Sequence, residues 1–349
     1  MKVAVVTSSP PLAEGGHLVI ARSVVDALRE AGHDAGLIVT PQNRFGRQAS
    51  AYVATWLTDV GVAHDGSPVD HVISFRYPSY AVRHPRHVVW LNHRMREYYD
   101  LWDRFQATLS WKARLKEWIR RAAIHRVDTY LLTRHVARVF AQSATIQRRL
   151  RRFGNIPADV LYPPAPPRPY RCDGYGADLF AVSRFTPLKR IDLLVRALAE
   201  PSAAGVRCTI AGDGEDAVRI RQLVRDHDLE SRVTLLGAVD SATLVSHLAS
   251  CRAVVFPAFE EDYGLVTVEA FASRKAVITC RDSGGPAELV RDGDSGLICD
   301  PTPASLAAAL ARLAADRALA ERLGACAEAA SREISWPKTI KRLLLQDER

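Results

Sequence analysis

The sequence contains no apolar run approaching the roughly 18 residues of a membrane-spanning helix, which argues against an integral membrane protein. Its six cysteines, at 172, 208, 251, 280, 299 and 326, form no Cys-x-x-Cys pair. Neither a disulfide framework nor a zinc site is indicated, and the reduced thiols of a cytoplasmic protein are expected. Met1-Lys-Val-Ala-Val-Val-Thr7 reads as a strand, without the cleavage pattern of a signal peptide. No repeat of solenoid type is present. A metal site is also missing: Asp292-Gly-Asp294 follows Glu288-Leu-Val-Arg291 and reads as turn chemistry.

What remains is an ordinary globular composition, 48% hydrophobic and 25% charged, over 349 residues, a length that suits two domains. The charge is unevenly spread. Residues 1–170 carry 24 Lys and Arg against 13 Asp and Glu, and the remainder carries 23 against 26. A basic first half suits an anionic partner such as a membrane surface, a lipid phosphate or nucleic acid, or else an Arg-rich solvated surface.

Strand-like and helical stretches alternate along the first half. Strands are expected at residues 2–7, 35–40, 71–75 and 87–91, with another within 130–140, and a helix at 17–31 that stops at Gly32. The proline-rich stretch at 162–169 cannot continue a sheet and reads as a linker. The alternation then restarts, with strands at 179–183, 207–211, 233–236, 253–256 and 276–279 and helices at 191–200, 217–227, 242–249 and from Gly264, followed by helices to the end. This pattern predicts an α/β chain of two doubly wound, Rossmann-like domains, residues 1–167 and 168–333, with a final helix within 334–349. Such sheets bind ligands at the carboxyl ends of their strands.

The candidate chemistry lies at those ends. Glu261 sits in the loop after the strand at 253–256, and Glu269 two turns into the following helix, whose first amides make an anion site. The strand at 179–183 runs into Arg184-Phe-Thr-Pro-Leu-Lys189 with no Gly-x-Gly-x-x-Gly turn, so Arg184 and Lys189 supply the cations at a phosphate position instead. Gly212-Asp-Gly214 and Gly284-Gly285 allow close backbone approach, to a ligand or simply within tight turns. Pro10-Pro-Leu-Ala-Glu-Gly-Gly16 joins the first strand to the first helix, with Gly15 and Gly16 either a flexible turn or amides open to phosphate. His93 follows the strand at 87–91, and Arg94 beside it is an acceptor-orienting candidate. Within residues 111–126, Trp111, Leu115, Trp118, Ile119 and Ala122 form a helical stripe among six Lys and Arg and a single Glu. That stripe packs on its own domain or lies on an anionic membrane.

Arg184-x4-Lys189, Ala211-Gly-Asp-Gly214, the segment 233–237, Glu261-x7-Glu269 and Ser283-Gly-Gly-Pro-Ala-Glu288 follow one another in an order that resembles the retaining glycosyltransferases of family 4. The resemblance covers nearly the whole chain and is strongest over residues 179–300. It implies the GT-B fold, two facing Rossmann-like domains with a cleft, and a final helix that crosses back to the first domain. It also implies transfer of a hexose from a nucleotide diphosphate sugar to an acceptor hydroxyl, with no metal or other cofactor. Glu269 would bind the ribose hydroxyls and Glu261, in register with Gly264, the donor sugar. Arg184 and Lys189 would grip the diphosphate with the amides of Leu265 and Val266, and Gly15 and Gly16 would close over it. His93 would contact the donor sugar. Uracil and guanine donors both fit, and the basic first half favours a lipid-linked or otherwise anionic acceptor at the cytoplasmic face of a membrane. An epimerase, a phosphorolytic enzyme or a natural-product glycosyltransferase on this fold are the alternative enzymes. A nucleic-acid-binding protein is disfavoured because it leaves Glu261 and Glu269 without a role.

Overall fold

The computed structural model describes residues 1–12, 15–42 and 46–346. The chain divides into two compact units, Met1–Pro163 together with the segment from Trp336, and Pro164–Ser335. The first division falls in the proline-rich stretch, where prolines remove the donors that a sheet or helix would need.

In the first unit, short apolar runs become parallel strands. In chain order the elements are β1 (Lys2–Ser9), α1 (Gly16–Glu30), β2 (Asp34–Pro41), α2 (Gln48–Trp56), β3 (His71–Ser74), β4 (His87–Leu91), α3 (Trp102–Ala107), α4 (Trp111–Arg134), β5 (Arg138–Ala141), α5 (Ala144–Arg152) and β6 (Asp159–Val160). They form a six-stranded sheet of order β2-β1-β3-β4-β5-β6. β3 and β4 are buried at every residue, as strands covered on both faces must be, whereas edge strand β2 buries only Ala35 and Thr40.

The second unit repeats the scheme with β7 (Leu179–Val182), α6 (Ile191–Ala199), β8 (Cys208–Ala211), α7 (Ala217–Asp226), β9 (Val233–Gly237), α8 (Ser241–Ser250), β10 (Val254–Phe256), α9 (Leu265–Ala272), β11 (Val277–Cys280), α10 (Gly285–Leu289), β12 (Gly296–Cys299), α11 (Pro303–Ala315) and α12 (Arg317–Glu333). Its parallel sheet has the order β12-β11-β10-β7-β8-β9. β12 corrects the expectation of helices alone after Gly285. Gly296 lets it lie against β11, because a Cβ there would stand 2.1 Å from the Val277 carbonyl oxygen.

The last helix, α13 (Trp336–Leu343), belongs to the first unit. Trp336 packs edge-on against Trp90, the buried His71 donates its Nε2–H to the Leu343 carbonyl at 2.9 Å, and Arg342 donates to the Val160 carbonyl at 3.2 Å. Among the described residues no helix is long and apolar enough to cross a membrane.

α4 buries a face that apolar periodicity does not reveal. Its inward side is Glu117, Ile124, Asp128, Leu131 and Leu132, and two of these are acids. Asp128 accepts from the hydroxyls of Tyr52, Tyr80 and Tyr99, and Glu117 from Tyr98 and Arg120. The stripe of Trp111, Leu115, Trp118 and Ile119 is consequently turned outward, with each side chain at least 58% exposed. The reading in which this stripe packs on its own domain is overturned.

Candidate active site

In the second sheet β10 leads outward through β11 and β12, while β7 leads the other way through β8 and β9. Loops leaving adjacent strands at such a switch point diverge and leave room for a ligand. The loop after β7 carries Arg184 and Lys189, and the loop after β10 carries Glu261 and leads into α9.

Backbone pairing fixes the loop after β10 on the loops after β7 and β11. Phe259 N–H donates to the Leu188 carbonyl at 2.7 Å, Glu260 N–H to Asp282 at 2.9 Å, Glu261 N–H to Ser283 at 3.0 Å and Gly285 N–H back to Glu261 at 2.9 Å. Gly284, at φ 68°, would bring a Cβ to 2.5 Å from the Glu261 carbonyl oxygen, so the approach of the two loops requires glycine there. The glycine pair after β8 does similar work. A Cβ on Gly212 would lie 1.8 Å from the Ser183 carbonyl oxygen, so what Gly212 admits is the backbone just before Arg184.

The side chains converge accordingly. Lys189 Nζ stands 2.5 Å from Glu261 Oε2 and 5.3 Å from the centre of the Phe256 ring. Arg184 is exposed on the same loop. Beside them Arg190, in the left-handed region at φ 50°, forks onto Asp282 at 2.8 and 2.7 Å and lies over Phe259. This clamp was not foreseen, because its partners lie 92 residues apart with no motif joining them.

Glu269 lies within α9 and is 4% exposed. Burial raises the pKa of its carboxyl, and the Arg168 charge and the Tyr170 hydrogen bond oppose that shift. Arg168 pairs with Glu269 Oε1, and the Tyr170 hydroxyl donates to that same oxygen at 3.0 Å, so Oε2 takes part in neither contact. Neither partner was anticipated, for they stand about a hundred residues before Glu269 in a stretch read only as linker and domain start. Gly264 caps α9 at φ 79°, where a Cβ would meet Pro286 Cγ at 2.5 Å. Leu265 and Val266 open the helix, and their amides have no intrahelical carbonyl to pair with.

The remaining candidates lie in the first unit. Gly15 caps α1 in extended backbone, and a Cβ on Gly16 would meet nothing within 4 Å. Ala13 and Glu14 of that loop lie outside the described residues. His93 stands two residues beyond β4, half-buried, with Nδ1 2.8 Å from the Arg94 carbonyl oxygen. Arg94 is not placed to orient an acceptor. It is 6% exposed, donates to the Phe153 and Arg149 carbonyls at 3.1 and 3.2 Å, and lies over the Tyr99 ring, so it closes the end of α5. Among the described residues no group of three or more His, Cys, Asp or Glu could hold a metal ion.

Residues 173–330 match the family of glycosyl transferases group 1. That segment contains every second-unit candidate. Among known proteins, the chain is 36% identical over 174 residues to the D-inositol 3-phosphate glycosyltransferase of Nocardia farcinica, covering 47% of this chain and 38% of that one. The chain spans less than half the length of the curated relatives it matches, 18% to 47% in the first three. Two solved structures share the whole architecture. Sucrose-phosphate synthase of Thermosynechococcus elongatus superposes with a TM-score of 0.77 at 18% identity, covering 99% of this chain and 98% of that one. Anabaena HepE, in complex with UDP and glucose, superposes with a TM-score of 0.71 at 18% identity, covering 99% of each. The fold is therefore GT-B, two Rossmann-like units each built on a six-stranded parallel sheet.

Proposed function

We propose that the protein transfers a hexose of mannose or glucose type from a nucleotide diphosphate sugar to an acceptor hydroxyl, with retention at the anomeric carbon and without a metal. The observation that carries this reading is the pairing of Lys189 with Glu261 at the switch point, beside the first amides of α9 and the buried carboxylate of Glu269. The match of residues 173–330 to glycosyl transferases group 1 supports it.

In this reading the ribose hydroxyls donate to Glu269, whose Oε2 is outside the contacts with Arg168 and Tyr170. The diphosphate takes the amides of Leu265 and Val266 together with Arg184 and Lys189. These cations stabilise the charge that accumulates as the glycosidic bond breaks. Glu261, which pairs with Lys189, accepts from the sugar hydroxyls when donor is bound. Gly15, Gly16 and His93 of the first unit are further candidates for contact with the donor. The acceptor hydroxyl loses its proton to the departing diphosphate, so no enzyme nucleophile is needed. The donor carries uracil or guanine, and UDP is the first to try because HepE was solved with it. The basic first unit supports a lipid-linked or otherwise anionic acceptor, used in envelope glycan or glycolipid synthesis on the cytoplasmic side.

Thermal unfolding against UDP, GDP and their glucose and mannose conjugates tests the reading. A nucleotide at a hundred times its Kd adds about 2.7 kcal/mol of stability. Stabilisation by none of them at millimolar concentration would end it. Glu269→Gln should abolish that stabilisation, and NMR of the product from an active donor and acceptor pair should show the anomeric configuration of the donor.

A further inference from the structure

The outward face of α4 is unusual for a helix that is already anchored. Trp111, Leu115, Trp118 and Ile119 are 72%, 58%, 58% and 59% exposed, on the side opposite the buried Glu117, Ile124, Asp128, Leu131 and Leu132. Steps of three and four residues carry the same line onward through Ala122, Arg126, Thr129 and Thr133. There it becomes the floor of a groove of about 650 Å³ whose walls include Arg121, Arg134 and Arg152. No carboxylate lines this groove among the described residues. Both acids of α4, Glu117 and Asp128, are buried and committed to tyrosines. The solvent face of the helix thus carries cations and large apolar groups and no negative charge.

We propose that this face docks on an anionic phospholipid surface, with the tryptophans, Leu115 and Ile119 seated in the interfacial region and the arginine groove receiving lipid phosphates. The occupant follows from the pairing of the two features. A bilayer interface offers phosphate and hydrocarbon within one helix diameter of each other, and an amphipathic helix lying in its plane buries its apolar face there. Lys112 and Lys116 flank the stripe, where their stems can run along apolar surface while the ammonium groups reach phosphate. A nucleic acid backbone would leave four large apolar side chains in water. The proposal does not depend on glycosyl transfer, since vesicle binding needs no donor.

The test is cosedimentation of the full chain with vesicles of phosphatidylcholine alone and of phosphatidylcholine with phosphatidylglycerol. Binding to the anionic vesicles only, with a blue shift of tryptophan emission, is expected. Trp111→Ser with Trp118→Ser should lower partition at least tenfold. Arg126→Gln and Arg152→Gln should each lower it about fivefold, the contribution of one cation near an anionic surface. All four side chains are exposed, and unchanged thermal unfolding of the variants confirms that they fold. Equal binding to neutral vesicles, or anionic binding indifferent to the tryptophan changes, would overturn the proposal. So would a dimer in solution that Trp118→Ser dissolves, because the face would then belong to a second copy of the chain.

Discussion

A carboxylate as buried as Glu269 survives only because positive charge and a hydroxyl meet it. Removing Arg168 leaves that charge uncompensated, so Arg168→Met should cost about 3–5 kcal/mol in urea unfolding. The double change with Glu269→Gln should recover most of it, and additive losses would show that the pair is not coupled. Gly264 and Gly16 offer a contrast. Gly264→Ala must place a Cβ at φ 79° against Pro286 and should destabilise by about 2–4 kcal/mol. Gly16→Ala has open space at a helix start and should leave stability unchanged or raise it by up to about 1 kcal/mol. If the Gly15-Gly16 amides serve the donor phosphates, the Gly16 variant will nevertheless bind nucleotide sugar more weakly. The positions of Lys189 and Glu261 in loops after strands, and of Glu269 in the helix that follows, were legible in the sequence because each rests on local strand, loop and helix signals. Arg168, Tyr170, Arg190 and Asp282 were not, because a contact between distant loops leaves no local period to read.

At the scale of elements, α4 shows where hydrophobic patterning misleads. Its apolar stripe obeys the helical period, yet the face that packs is held by Asp128 beneath three tyrosines. Burial first, and then the Asp128 charge, hold the three phenols protonated, so each can donate. Asp128→Ala should therefore destabilise the first unit by about 3–5 kcal/mol, seen as a lower midpoint in thermal unfolding, because three buried hydroxyls lose their common acceptor. The buried strands were easier, since parallel strands covered on both faces are short continuous apolar runs. β12 escaped because four residues after an Asp-Gly-Asp-Ser turn carry too little periodicity to separate strand from helix.

For the molecule as a whole, histidines link the first unit to pH. Burial lowers His71 to about 4 and His87 to about 3, against an ordinary value of 6.5. The unfolded chain therefore binds more protons than the folded one between those values, and stability falls as pH drops from about 6.5 toward 4. The loss from His71 should reach roughly 2–3 kcal/mol by pH 4, and His71→Asn should flatten the slope of unfolding free energy against pH in that window. The β-α alternation, the two sheets and the proline-rich division were legible in the sequence because they rest on local signals. The return of α13 to the first unit was readable only through the family resemblance, since Trp90, His71 and Val160 are far from it in the chain. That return makes Pro164–Ser335 an insertion within the first unit. A single proteolytic nick anywhere in the insertion would divide the first unit into two peptides without removing one of its noncovalent contacts. The C-terminal fragment, which carries α13, would then stay bound through Trp336, Leu343 and Arg342, and the first unit would behave as a fragment-complementation pair whose reassembly a synthetic α13 peptide would compete.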